Sequence, residues 1–128
     1  MSYSYSKVDD LENSKMVGNH QCVALVRNYA DAPPTLAWRQ GEAVFGNRTL
    51  KKGTAIATFV NGNYANHNHG NHAALYMGQT PSGILVMDQW KNKKDQLVTS
   101  RAIRSKGKDK RGLFIQPSDN ADAFFVIE

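Results

Sequence analysis

Gly18-Asn19-His20-Gln21-Cys22-Val23-Ala24-Leu25-Val26 is the stretch whose reading decides the fold. It carries the only cysteine of the chain. Asn19 is a favourable helix N-cap, and an apolar run with helical spacing follows it, which predicts a helix from Gln21 to about Ala30. Cys22 then lies in the first turn, where unpaired backbone N–H groups and the positive end of the helix dipole favour a thiolate over a thiol. Cys22, Val26 and Tyr29 share one face, with Leu25 beside them, and that face is expected to pack on a core. A lone cysteine is more often just a small buried apolar side chain, so a catalytic reading needs a partner elsewhere.

Working outward, Val8-Asp9-Asp10-Leu11 predicts a short helical turn before this stretch. After it, Pro33-Pro34 stops any helix. Residues 35–40 read as a second short helix or turn, with Gly41 as its stop. The texture changes at Gly53. Thr54-Ala55-Ile56-Ala57-Thr58-Phe59-Val60 reads as a strand buried on both faces. A loop of Asn, His and Gly follows, then strands over 72–77 and 84–90 joined by a turn at 79–83, an antiparallel hairpin. Residues 113–115 and 123–127 are two further strand candidates, and 97–103 a weaker one. The expected fold class is α+β: one domain over 1–128, its N-terminal helix packed on an antiparallel sheet of about five strands.

At 128 residues the chain is long enough to bury a real core, and 41% apolar with 21% charged residues is ordinary for a globular protein. One cysteine excludes an internal disulfide. No apolar run approaches the roughly 18 residues of a membrane span. The first residues are polar with no hydrophobic region, so no ordinary secretory signal is read. The net charge of +5 fits an anionic partner such as nucleic acid, a membrane surface or a cell-wall polymer, and selects none of them. More than half of the Lys and Arg residues lie between Lys91 and Arg111, a run expected to be a solvated surface.

A cysteine nucleophile needs a base, and the base needs an orienting group. His72 begins a strand and Asp88 lies near the end of the next. With the turn centred near Thr80 the two fall opposite each other and project from one face. A helix N-terminus packed on that face brings Cys22 to the other ring nitrogen. Shifting the register by one puts Gln89 opposite His72 instead, and an amide also orients an imidazole. Taken singly, each of these residues is more often structural; together their order is specific.

That order, cysteine on a helix, histidine at a strand start and a polar residue on the next strand, resembles the papain-like NlpC/P60 and CHAP cell-wall amidases. The segments Gly18 to Val26, Gly53-Thr-Ala-Ile-Ala-Thr-Phe59, Gly70-Asn-His-Ala-Ala74 and Asp88-Gln-Trp90 more closely resemble a family of small bacterial amidases that act as type VI secretion effectors against peptidoglycan. The resemblance covers most of the chain from about Gly18 to Arg104. It implies a papain-like NlpC/P60-type fold with Cys22 as nucleophile and His72 as general base. It implies less about the third position, carried to Asp88 with Gln89 as the alternative. It implies cleavage of a peptide-stem amide, typically between D-glutamate and meso-diaminopimelate, with no cofactor or metal. It also implies export by a secretion apparatus, action in the periplasm of a target bacterium, and a cognate immunity protein as partner, with neither nucleic acid nor membrane insertion involved. The Cys22 backbone N–H is a natural oxyanion donor, and a side-chain donor from His20 or Gln21 is a further candidate.

Two other readings compete. His67, His69 and His72 lie close together, with His20 and Cys22 elsewhere, and zinc accepts both N and S ligands. Such a site with the basic run suggests a metal-dependent nuclease-type toxin. No cluster of carboxylates accompanies these histidines, and His-Asn-His in succession is not the spaced motif of those nucleases. The second is a non-enzymatic binding module for an anionic polymer. It predicts that Cys22 is replaceable without loss.

Overall fold

The computed structural model describes residues 2–65 and 70–128. One α-helix, α1 (Cys22–Ala30), lies against an antiparallel sheet of seven strands. These are β1 (Ser14–Lys15), β2 (Gln40–Ala43), β3 (Ala55–Thr58), β4 (Ala73–Thr80), β5 (Gly83–Asp88), β6 (Leu97–Arg104) and β7 (Phe124–Ile127), in spatial order β1-β6-β5-β4-β3-β7-β2. Short 3-10 turns occupy Val8–Leu11, Thr35–Ala37, Pro117–Asp119 and Ala121–Ala123.

The expected α+β layout holds, with differences. Seven strands replace about five, because β1 and β2 are short edge pieces without an alternating apolar pattern. Residues 113–115 form no strand and contribute one isolated bridge, Lys108 to Phe114. The second helix shrinks to the turn Thr35–Ala37. The N-cap of α1 is Gln21, not Asn19; the Asn19 Oδ1 instead accepts the Gln21 N–H at 3.0 Å, closing a turn just before the helix. At the other end Asp31 adopts a left-handed conformation (φ 59°), and its N–H bonds back to the Val26 carbonyl.

Alternation along the central strands divides the core in two. Ala73, Leu75 and Met87 face α1, where they meet Leu25, Val26 and Ala30. Ala74, Tyr76, Ile84 and Val86 face the opposite side, against Phe124, Ala121 and Val44. Leu25 and Val26 are fully buried, each contributing roughly 1.5–3 kcal/mol by removal from water. β3 is buried along its whole length, as its small and β-branched sequence predicts.

The hairpin of β4 and β5 carries a bulge that matters for the site. Near the turn Thr80 pairs with Gly83 and Gly78 with Leu85; beyond it Tyr76 pairs with Val86 and Leu75 with Met87. Met77 is therefore an extra residue on β4, and the register slips by one. Were the same strand to pair regularly through Met77, the turn would set odd-numbered β5 residues beside even-numbered β4 residues and bring Gln89 onto the face of His72. With the bulge, even residues pair with even, and Asp88 shares that face.

Candidate active site

Cys22 is the first residue of α1, and the loop before it is sharply bent. Gly18 (φ 57°) and His20 (φ 68°) both lie in the left-handed region. At Gly18 a side chain would also come within 2.9 Å of the Ala24 Cβ, so glycine is required there. His72 is held by its backbone to β3: its N–H donates to Thr58 Oγ1 at 3.0 Å, and its carbonyl accepts the Thr58 N–H at 2.9 Å. The imidazole donates from Nε2 to Asp88 Oδ2 at 2.7 Å, which leaves Nδ1 for Cys22. Asp88 is fully buried. The structure thus brings Cys22, His72 and Asp88 together, but not as the strand pairing alone suggests. Asp88 is level with Ala74 rather than His72. The face shared by His72 and Asp88 is also the one turned away from α1, since His72 packs edge-on to Phe124 and Trp90. Cys22 reaches the imidazole at the end of the sheet, because His72 lies one residue before β4 begins.

The electrostatics favour a thiolate–imidazolium pair. Burial pushes the Cys22 thiol up, but hydrogen bonding and charge from His72, aided by Ala73 and Tyr64, outweigh it and hold the thiol below its ordinary value. Burial pulls His72 down, yet Asp88 and Cys22 lift it to about 9. Asp88 is likewise pushed up by burial and brought below the usual carboxylate range by His72 and then Arg101. Cys22 is accordingly expected to react with iodoacetamide below neutral pH, faster than a free thiol. A rate profile that follows an unperturbed thiol pKa of about 8.5 would show that the pair does not form.

Three contributors, Tyr64, Arg101 and Lys93, were not legible in the sequence. Tyr64 places its hydroxyl 3.8 Å from Cys22 Sγ, accepts a hydrogen bond from Asn71 Nδ2 at 3.1 Å, and rests its ring on Trp38, 4.8 Å between centroids. Burial and the neighbouring Cys22 charge raise its pKa, so it stays a neutral donor to sulfur. Arg101 and Lys93 come from the basic run that was expected to be solvated. Arg101 Nε donates to Asp88 Oδ2 at 2.8 Å, and Lys93, only 5% exposed, has its Nζ 3.9 Å from Asp88 Oδ1 and donates to the Asp88 carbonyl and to Thr99. Both cations lie 5.1 Å from the centroid of the Trp90 ring. The buried carboxylate is thereby matched by three cationic groups, which offsets its desolvation. No motif marks these residues: Arg101 reaches Asp88 diagonally from β6 and Lys93 reaches it from the loop between β5 and β6, and neither contact has a local signature.

Gln89, the alternative third residue, projects to the other face and makes no contact with the imidazole; its amide bonds to the loop before Cys22. His20 and Gln21 are exposed side chains flanking the thiol. His67 and His69 of the suggested metal cluster lie outside the described residues; among the described residues no three His, Cys, Asp or Glu side chains are grouped to hold a metal. No described helix is long and apolar enough to cross a membrane. Beside His72, on the side away from α1, an open cleft of about 420 Å³ is lined by Asn71, Trp90, Arg101, Ser118 and Asp119 among others.

A helix-borne cysteine beside a strand-borne histidine that is held by a buried acid, over an antiparallel sheet, defines a papain-like α+β protein. The sequence model described as "Domesticated amidase effector 2" matches residues 2–127, and the chain belongs to that family. A curated relative, the type VI secretion amidase effector 2 protein of Salmonella typhi, is 47% identical over 133 residues, covering all of both chains. Domesticated amidase effector 2 of Ixodes scapularis is 35% identical, covering 88% of this chain and 73% of that one. The solved structure of a type 6 secretion amidase effector 2 superposes with a TM-score of 0.92 at 46% identity, covering 98% of this chain and 94% of the other.

Proposed function

We propose that the protein is a peptidoglycan amidase delivered as a type VI secretion effector, with residues 1–128 forming one catalytic domain that acts in the periplasm of a target bacterium. A cognate immunity protein and the secretion apparatus are its proposed partners. The observation that carries the catalytic reading is the His72 imidazole lying between the Cys22 thiol and the buried Asp88 carboxylate.

In this reading the Cys22 thiolate adds to an amide carbonyl carbon of the peptide stem. A C–S bond forms, and the carbonyl electrons move to oxygen. The Cys22 N–H at the start of α1 faces that oxyanion. His72 passes its Nδ1 proton to the amide nitrogen, the C–N bond breaks, and the amine departs. Water then gives a proton to His72 and attacks the thioester carbon. The C–S bond breaks, the acid leaves, and the thiolate–imidazolium pair is restored. Because His72 protonates the leaving amine, the cleft beside His72 suits the amine side of the substrate.

Purified peptidoglycan fragments incubated with the protein and with Cys22→Ala, and analysed by mass spectrometry, test this reading. The fragment masses also assign the bond, whether the D-glutamate to meso-diaminopimelate amide implied by the resemblance or another. Absence of any Cys22-dependent cleavage would remove the amidase reading. Activity is expected to survive EDTA, since no step uses an ion. Loss of turnover on chelation, restored by zinc, would move the chemistry to His67, His69 and His72.

A further inference from the structure

We infer that Gln89, the residue just past the end of β5, is a positioning residue for the nucleophile: from the helix-facing side of the sheet its amide grips the bent loop 17–21 and so fixes Cys22 against His72. The inference rests on the amidase reading above for its catalytic meaning, and on the hydrogen bonds for its geometry.

Gln89 is fully buried, and its described partners are all backbone groups of that loop. Its Oε1 accepts the Val17 N–H at 3.0 Å. Its Nε2 donates to the Val17 carbonyl at 3.1 Å and to the Gln21 carbonyl at 2.8 Å. Only a side-chain amide both accepts and donates in this way; a carboxylate would face two carbonyl oxygens, and a hydrocarbon would leave the Val17 N–H without its acceptor and the two carbonyls with one backbone donor each, the His20 and Ala24 N–H groups. The grip falls where it matters. Gln21 precedes Cys22, and its carbonyl also accepts the Ala24 N–H at 3.1 Å, the first turn of α1. Between the two anchor points the chain passes through two left-handed residues, one of them His20, a conformation that a non-glycine residue adopts only when its surroundings impose it.

The position of Gln89 in the chain gives the arrangement its logic. Asp88 and Gln89 are consecutive, so their side chains leave β5 on opposite faces. Asp88 holds His72 from one face and Gln89 holds the cysteine loop from the other. The end of one strand therefore sets the spacing of thiol and imidazole. Misplacing a reacting group by about 1 Å can cost on the order of 100-fold in rate.

The test uses Gln89→Met, which keeps volume without the bonds, and Gln89→Asn, which keeps the amide without its reach. Folding is checked by near-UV circular dichroism; Gln89→Asn keeps the site polar and is the variant to rely on where Gln89→Met lowers the folded yield. Both are expected to lower kcat by about tenfold to a hundredfold with KM little changed. Both should also move the pH profile of Cys22 alkylation up toward an ordinary thiol, at about 8.5, because His72 and Tyr64, the titratable groups facing the sulfur, are no longer held at contact. Folded variants that keep the wild-type alkylation profile and kcat would overturn the inference. If the wild type cleaves no peptidoglycan, the amidase reading falls, while the alkylation profiles still judge the clamp.

Discussion

Cys22→Ala is expected to bring amide cleavage down to background, a loss of about 10⁴-fold or more. The size follows from what the sulfur does. In the proposed mechanism it forms and breaks the covalent bond, which an alanine methyl cannot do. Water activated by His72 alone would lack the thiolate, which His72 favours by hydrogen bonding and charge against the effect of burial. The loss should be chemical rather than structural. Cys22 is 9% exposed at the edge of the core, and its truncation to alanine should cost only about 1 kcal/mol of stability. Cys22→Ser gives the sharper comparison. Its hydroxyl fits the same place, but an alkoxide is too basic for the imidazolium to hold, so serine should be nearly as inactive as alanine. Fragment release followed by mass spectrometry over long incubation, beside thermal unfolding of each variant, separates the two effects. Undiminished cleavage by Cys22→Ala would return the protein to the binding-module reading.

Asp88→Asn should lower turnover by about tenfold to a thousandfold and should also change the pH dependence. Two opposing influences act on His72. Burial favours the neutral ring; the Asp88 hydrogen bond and charge, with Cys22, favour the imidazolium and bring its pKa to about 9. Activity that needs the ion pair should therefore hold up to about pH 9 and then fall as His72 loses its proton. Asparagine keeps the shape but removes the negative charge. Burial then prevails, and Arg101 and Lys93, left without their carboxylate, push the same way. The alkaline limb moves to lower pH, and near neutrality the pair reverts toward thiol and neutral imidazole. Stability should fall as well, since buried Lys93 loses its nearest anion. A kcat–pH profile measured on both proteins checks the direction. An alkaline limb that stays in place would show that Asp88 does not set the charge of His72.

The parts of the molecule legible in the sequence were those with a local signature. The helix at Cys22 announced itself by apolar spacing, β3 by its run of small and β-branched residues, and the β4–β5 hairpin by two apolar segments around Pro81 and Ser82. The placement of Asp88 beside His72 was legible only as one of two registers. Turn position alone favours the other: with Pro81-Ser82 as the two-residue turn, parity selects Gln89. The bulge at Met77 reverses that parity, and its one local cue is Gly78, a glycine inside the strand, which marks a bulge without fixing the register. The cap was misread for a related reason. Asn19 does bond a backbone N–H, but two residues on, so the same chemistry serves a turn before the helix. Lys93 and Arg101 were hidden within a run of positive charge, where composition suggests solvent and tertiary pairing decides otherwise.

The bulge also bears on which changes in the chain the site can absorb. Replacing Met77 with another residue leaves the number of residues between His72 and the turn unaltered and, while the ladder still steps over one of them, the face on which each side chain emerges. Removing one residue from Tyr76-Met77-Gly78 would take the extra residue out and let β4 pair regularly, with Tyr76 still opposite Val86, so Asp88 would keep the face of His72. The acid and the amide would trade places only if the full-length segment paired straight through, with no residue looped out. In this hairpin it is whether the ladder steps over one residue, rather than the identity of the side chains there, that decides which residue faces the histidine.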